Sequence, residues 1–356
     1  MKHLTSLLCL VLLLTGCTAN DQDRPEEVKN LIYLIGDGMG LAQFSMLEIE
    51  NDYAPTAFSE AERVSLVTTR SLNNRVTDSA AAGTALATGS KTNNSMLGQL
   101  PDSTVLTSMM ELARDHGKAT GLVVSCHLQH ATPAAFYANV RHRAEYEKIT
   151  DQLVETNFDV MIGGGSGWIT DAHRATLDAA GYRYVETMEE VEATTDGKLL
   201  AMVAEEYLPQ APERGDLIPR ATRKALELLA QDEDGFVLMV EGSQIDGAGH
   251  ANNAAYLLAE MRDFEQVVRA AFDFADTHPG TLVVVTADHE TGGLSMPSGK
   301  SDFTLSESGI DYRFGTGSHS AIRVPAYFYG AGADRFAAMM DNTELAETLM
   351  SVLNLK

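Results

Sequence analysis

Cysteine is almost missing from this chain. Cys9, Cys17 and Cys126 are the three in 356 residues, too few for a disulfide framework. Basic residues are scarce as well: 26 lysines and arginines stand against 50 acidic side chains, a net charge of −24. That balance argues against a nucleic-acid partner, which would need a basic patch to neutralise phosphates. An acidic surface can still surround a locally positive metal site. The apolar stretch Leu7–Leu14 is too short to span a bilayer, and no internal repeat or low-complexity segment occurs. The single tryptophan, Trp168, either packs or lines a substrate cleft. What the chain does have is 44% hydrophobic residues with 21% charged, enough for a substantial core. We read one large domain over residues 29–356.

The amino terminus, MKHLTSLLCLVLLLTGC, has a short basic start and a short apolar core, so residues 1–16 are expected to be a signal peptide. Leu14-Thr15-Gly16-Cys17 resembles a bacterial lipobox, in which cleavage leaves a lipidated cysteine at the new amino terminus. Residues 17–28 are then expected to form a polar tether, and the protein to be exported and lipid-anchored on the periplasmic side of a bacterial membrane. Cys9 is lost with the signal and Cys17 is acylated. That leaves Cys126 alone, expected to be buried rather than reactive.

Apolar runs that end in acids or histidines recur along the chain. Asn30–Ile35 ends at Gly36-Asp37-Gly38. Phe236–Val240 ends at Glu241, with Asp246 and His250 just beyond, and Thr281–Thr286 runs into Asp288 and His289. His319 precedes the run Val324–Tyr329. Further strands are expected at Arg63–Thr69, Ala119–Ser125, Phe158–Ile162 and Leu199–Ala204, and helices at Leu41–Glu50, Thr104–Gly117, Arg220–Gln231 and Thr343–Leu353. This alternation predicts an α/β fold with a mostly parallel central sheet and helices on both faces. Open sheets of that kind build their sites at the carboxyl ends of strands. Burying an unpaired carboxylate is costly unless a cation compensates it, so the strand-end residues read as metal ligands, zinc taking mixed His and carboxylate sets and magnesium an all-oxygen set. His127 and His130, three apart in a loop, are a weak ligand signal by themselves. The stretch from Ser166 to about Pro219 shows no obvious chemistry.

Within VTDSAAAGTALATGSKT, Asp78 and Ser79 directly precede an alanine-rich helical run. One reading is a helix cap. The other is a nucleophile: the free N–H groups and the positive end of the helix dipole favour a phosphate beside the Ser79 hydroxyl, which nearby metals would help to ionise.

GDGMG, VTDSAAAGTA, HATPAA, VEGSQID with its following histidine, TADHETGG and the late GSH occur together in one order. In this the sequence resembles the alkaline phosphatase family from about Asn30 to its carboxyl terminus. The resemblance implies metal-dependent hydrolysis of phosphate monoesters, releasing inorganic phosphate and an alcohol. Ser79 is the nucleophile that becomes a phosphoserine, and Arg143 clamps the phosphate oxygens, with Arg141 as the alternative. Asp246, His250 and His319 hold one zinc; Asp37, Asp288 and His289 hold a second, which also binds Ser79. Asp37, Thr132 and Glu241 hold a third ion, magnesium. Asp78 and His130 are expected to support this set from behind.

Two departures from the family's pattern bear on the third ion and on phosphate affinity. His130 stands where some members have Asp, which favours zinc there instead of magnesium, and Gly247 stands where others carry Lys, His or Trp. The partners implied are small phosphorylated substrates, the membrane through Cys17, and a second copy in a homodimer. Two rival readings remain. A phosphodiesterase of the same superfamily would need a pocket for a second ester group. A non-enzymatic, lipid-anchored metal- or phosphate-binding protein would leave the placement of Ser79 unexplained. A sulfatase is a poor fit, because Ser79 is followed by AAAGTA rather than x-P-x-R.

Overall fold

The computed structural model describes residues 27–301 and 309–356. The expected signal peptide, the Cys17 lipid site and nearly all of the tether lie outside the described residues. Strands in chain order are β1 (Asn30–Gly36), β2 (Arg63–Thr68), β3 (Ala119–His127), β4 (Val160–Gly164), β5 (Tyr182–Val185), β6 (Lys198–Met202), β7 (Phe236–Gly242) and β8 (Thr281–Thr286). They are followed by β9 (Glu290–Thr291), β10 (Leu294–Ser295), β11 (Arg313–Phe314), β12 (His319–Ser320), β13 (Val324–Gly330) and β14 (Met339–Asp341).

Ten of these form one sheet in the order β14-β2-β13-β8-β1-β7-β3-β4-β6-β5. Only β13 runs against the rest, pairing antiparallel with β2 and β8. The sheet is therefore mostly parallel and surrounded by helices, as expected. Every residue of β1, β3, β7 and β8 is buried. Because successive side chains point to opposite faces, both faces of the sheet centre are covered, which is why these strands read as unbroken apolar runs.

This register gathers the site. Ile35 of β1 is level with Glu241 of β7 and Thr286 of β8, and Val124 of β3 is level with Glu241. The carboxyl ends of these four parallel strands, with Asp37, Asp288, Cys126 and the loop after Gly242, therefore lie side by side. The two-stranded pair of β9 with β12 returns His319 to the same edge, level with Thr291.

Some boundaries differ from expectation. The helix expected over Thr104–Gly117 is confined to Met109–Asp115, because Ser108 and Glu111 form a reciprocal capping box that starts it late. The expected strand at Leu199–Ala204 is Lys198–Met202, and β5 beside it was not expected. The longest helix, Ala254–Thr277, carries Glu260 and Asp263, which bind the buried Arg214. Among the described residues no helix is long and apolar enough to cross a membrane.

Candidate active site

The helix Ser79–Thr88 is buried along its whole length. Asp78, not Ser79, is its cap: Asp78 Oδ1 accepts from the Ala81 N–H at 3.0 Å and Oδ2 from the Ser95 N–H at 2.9 Å. The cap and the nucleophile readings thus fall on different residues. Ser79 occupies the first helical position with its hydroxyl unspent on capping, 3.2 Å from His289 Nε2. Gly83 lets the Ala131–Ala134 turn close on this helix, since a Cβ there would lie 3.1 Å from the Ala135 Cβ and 3.4 Å from the Thr132 Cα.

Three histidines aim the same nitrogen at the strand ends. His250 Nδ1 lies 2.9 Å from the Gly317 carbonyl and His319 Nδ1 2.8 Å from the Thr77 carbonyl, so each carries its proton on Nδ1 and leaves Nε2 toward the site. For His289 the argument runs through Thr291. The Thr291 hydroxyl donates its one proton to Asp246 Oδ1. Its 3.2 Å contact with His289 Nδ1 is therefore an acceptance from Nδ1–H. The Nε2 atoms of His250 and His319 face each other at 3.2 Å across the Asp246 carboxylate, to which they lie at 3.2 and 3.6 Å. His289 Nε2 is 3.2 Å from Asp288 Oδ2 and 3.5 Å from Asp37 Oδ1.

Such facing lone pairs and carboxylates call for cations. Without one, the hydrogen bond to Asp246 draws a proton onto His250, pushing its pKa up to about 9. Burial works to raise Asp246, yet that hydrogen bond and the surrounding imidazoles hold it below the usual carboxylate range. The deeper acids keep some of their oxygens unpaired. Asp37 Oδ1 and Oδ2, Asp288 Oδ2, Glu241 Oε1 and Thr132 Oγ1 are buried and accept or donate no hydrogen bond among the described residues. Burial, and then the neighbouring carboxylates, push Asp37 well above its ordinary value; burial raises Asp288 to about 8 and Glu241 to about 7. Oxygen and imidazole donors converging without protein partners fit divalent metal ions. Among the described residues, ligand atoms cluster within 4.8 Å of one another in three groups: Asp246, His250 and His319; Asp37, Asp246 and His289; and Cys126, His130 and Glu241.

Arg143 is the cation of this acidic edge. Its Nη1 donates to Asp78 Oδ2 at 3.4 Å and its Nη2 to His130 Nε2 at 3.1 Å. Arg141 is exposed and, among the described residues, hydrogen-bonds only Ser103, so the alternative clamp lies away from the site. Burial and the Arg143 charge hold His130 well below its usual pKa, as a neutral acceptor. Trp168 does pack, 4.7 Å from the His127 ring, and Tyr146 and Tyr207 also lie against His127. The stretch without obvious chemistry thus sends Trp168 and Tyr207 to the rim of the site. Gly247 is exposed, and a Cβ there would meet only the Tyr256 hydroxyl, at 3.5 Å.

The sequence reading missed Thr291, which orients both Asp246 and His289, and the Gly38 N–H, which donates to Asp288 Oδ1 at 3.1 Å. Cys126 was expected to be buried rather than reactive. Cys126 is buried, but its Sγ lies 3.3 Å from Glu241 Oε2, and its position at a strand end was the same signal that singled out Asp37.

A model of the family described as alkaline phosphatase matches residues 28–311. Alkaline phosphatase 3 of Bacillus subtilis (strain 168) is 33% identical, over 92% of this chain and 89% of its own. The solved structure of alkaline phosphatase from the Antarctic bacterium TAB5 superposes with a TM-score of 0.88 at 34% identity, covering 93% of this chain and 99% of that one. A His-to-Asp mutant of the TAB5 enzyme, with Mg bound in its M3 site, superposes with a TM-score of 0.85 at 33% identity, over 92% of this chain and 98% of that one.

Proposed function

This chain belongs to the alkaline phosphatase family, and from that premise we propose that it hydrolyses phosphate monoesters by way of a phosphoserine formed on Ser79. The observation that carries this reading is the Ser79 hydroxyl, uncapped and buried at a helix start, 3.2 Å from an imidazole that belongs to a cluster of buried carboxylates with oxygens left unpaired.

Ser79 Oγ attacks phosphorus in line with the ester oxygen. The Ser79 O–H bond breaks and its proton passes to solvent, the P–Oγ bond forms, the ester P–O bond breaks, and the departing alkoxide takes up a proton from water as the alcohol. Water then attacks the phosphoserine, Oγ regains a proton and inorganic phosphate leaves. The first-turn N–H groups favour the negative charge gathering at Ser79. In the metal-free chain His289 Nε2 accepts from the Ser79 hydroxyl; the one lone pair of that nitrogen is also what His289 would use to hold a metal ion beside Ser79. Arg143, pre-aimed by Asp78 and His130, has further N–H donors for the equatorial phosphoryl oxygens, in a transfer that depends chiefly on positioning and charge stabilisation. Asp246, His250 and His319 would hold one zinc, Asp37, Asp288 and His289 a second, and Asp37, Thr132 and Glu241 a third ion, magnesium or zinc. When bound, these ions supply Lewis-acid charge that lowers hydroxyl and water pKa values and offsets charge on the leaving oxygen.

His130 is neutral, where a carboxylate would suit hard magnesium; the magnesium bound in a His-to-Asp mutant of the TAB5 enzyme is in keeping with that chemistry. The amino-terminal pattern supports attachment through a lipidated Cys17 to the periplasmic side of a bacterial membrane, and family resemblance supports a homodimer. A soluble product with an unmodified amino terminus would refute the anchor.

The test is phosphate release from p-nitrophenyl phosphate and from bis(p-nitrophenyl) phosphate, with and without chelator, alongside metal analysis. We expect fast, chelator-sensitive turnover of the monoester. Faster diester cleavage would favour the phosphodiesterase, and bound metal without turnover would favour a binding protein.

A further inference from the structure

The third group of ligand atoms contains a sulfur. Cys126, at the carboxyl end of β3, is fully buried, and its Sγ lies 3.3 Å from Glu241 Oε2. One ligand atom from each of Cys126, His130 and Glu241 falls within 4.8 Å of the others. The same corner holds buried polar atoms with no partner among the described residues: Glu241 Oε1, Thr132 Oγ1 and His130 Nδ1. Two donors bound to one tetrahedral zinc, a sulfur at about 2.3 Å and a carboxylate oxygen at about 2.1 Å, are separated by roughly 3.6 Å. The spacing of Sγ and Oε2 is close to that of a shared ion. A thiol is also a weak donor, a poor choice if the purpose were only to satisfy a buried carboxylate.

We propose that Cys126 is a sulfur ligand of the third ion, which makes that site a mixed sulfur and oxygen site for zinc instead of an all-oxygen site for magnesium. The proposal rests on the reading above that Glu241 holds a metal ion, and goes beyond it by adding a donor that magnesium does not use. On binding, the S–H bond breaks, a sulfur–metal bond forms and the proton passes to solvent, so uptake of the third ion releases one proton from Cys126.

The test is cobalt(II) titration of the metal-free full chain carrying Cys9→Ser and Cys17→Ser, which leaves Cys126 as its one thiol. We expect one of three bound equivalents to bring a near-ultraviolet thiolate-to-cobalt charge-transfer band. Adding Cys126→Ser should abolish the band, retain the other two equivalents, and lower the zinc-over-magnesium preference of the third site by about tenfold to a hundredfold. If the serine variant does not fold, the band in the single-thiol chain decides the matter alone. Metal binding without a charge-transfer band overturns the sulfur ligand while leaving the phosphatase reading intact. Failure to bind any cobalt, with no chelator-sensitive turnover, overturns both.

Discussion

Among the described residues, the buried charges around Arg214 and those at the strand ends are built differently. Around Arg214, whose side chain is 1% exposed, the acids are answered from within the protein. Glu260 accepts from the guanidinium through both oxygens and from the Ala211 N–H, and Asp263 accepts from the same guanidinium. At the strand ends, Asp37, Asp288 and Glu241 are equally buried, yet oxygens of all three have no partner. Burial of charge is common to both clusters, so burial alone does not mark function. The mark is burial with the donors left out, because a fold that spends carboxylates this way is stable only when something from outside supplies the positive charge.

Predictions that test this contrast begin with the nucleophile. Ser79→Ala should abolish phosphoserine formation and lower turnover by roughly a thousandfold or more, without changing the melting temperature by more than a few degrees. Trapping of labelled phosphate on the protein reads the first effect, and unchanged trapping would remove Ser79 from its role. Arg214→Ala should do the reverse. Leaving Glu260 and Asp263 buried without their cation should cost about 3–5 kcal/mol of stability in a denaturant titration, while KM and kcat of the folded fraction stay close to the parent's.

Arg143→Ala should lower kcat/KM by about a hundredfold and weaken inhibition by inorganic phosphate, whereas Arg141→Ala should leave both unchanged. The reverse outcome would mean that the exposed arginine swings in to bind substrate. The smallest effect concerns pH. In metal-free protein, Asp288 and Glu241 have folded pKa values, about 8 and about 7, raised above the unfolded ones by burial. The stability linked to their protonation is present below about pH 4 and is lost as pH rises through those values. His250, raised to about 9 by Asp246, acts in the same direction. The melting temperature of chelated protein should therefore fall by several degrees between pH 6.5 and 9, and that of metal-loaded protein should fall less. Parallel pH dependence in the two forms would show that these carboxylates are compensated by the protein itself.

The sequence by itself determined the central sheet. Unbroken apolar runs such as NLIYLI and TLVVVT are tolerable only where both faces are covered, so they announce buried parallel strands whatever lies next to them. It also marked most of the strand-end residues, because an acid or histidine directly after such a run has to emerge at the sheet edge. Grouping was beyond it. That β7 and β8 flank β1, with Glu241 level with Ile35, is set by pairing between segments some two hundred residues apart. The same long-range packing decided that Asp78 caps the helix and Ser79 does not, that Gly317 and Thr77 carbonyls fix two imidazoles, and that the Cys126 thiol meets Glu241. Local periodicity reports which way a side chain must face; only the assembled sheet decides what it faces, because hydrogen bonds and ion pairs act over a few ångströms between residues far apart in sequence.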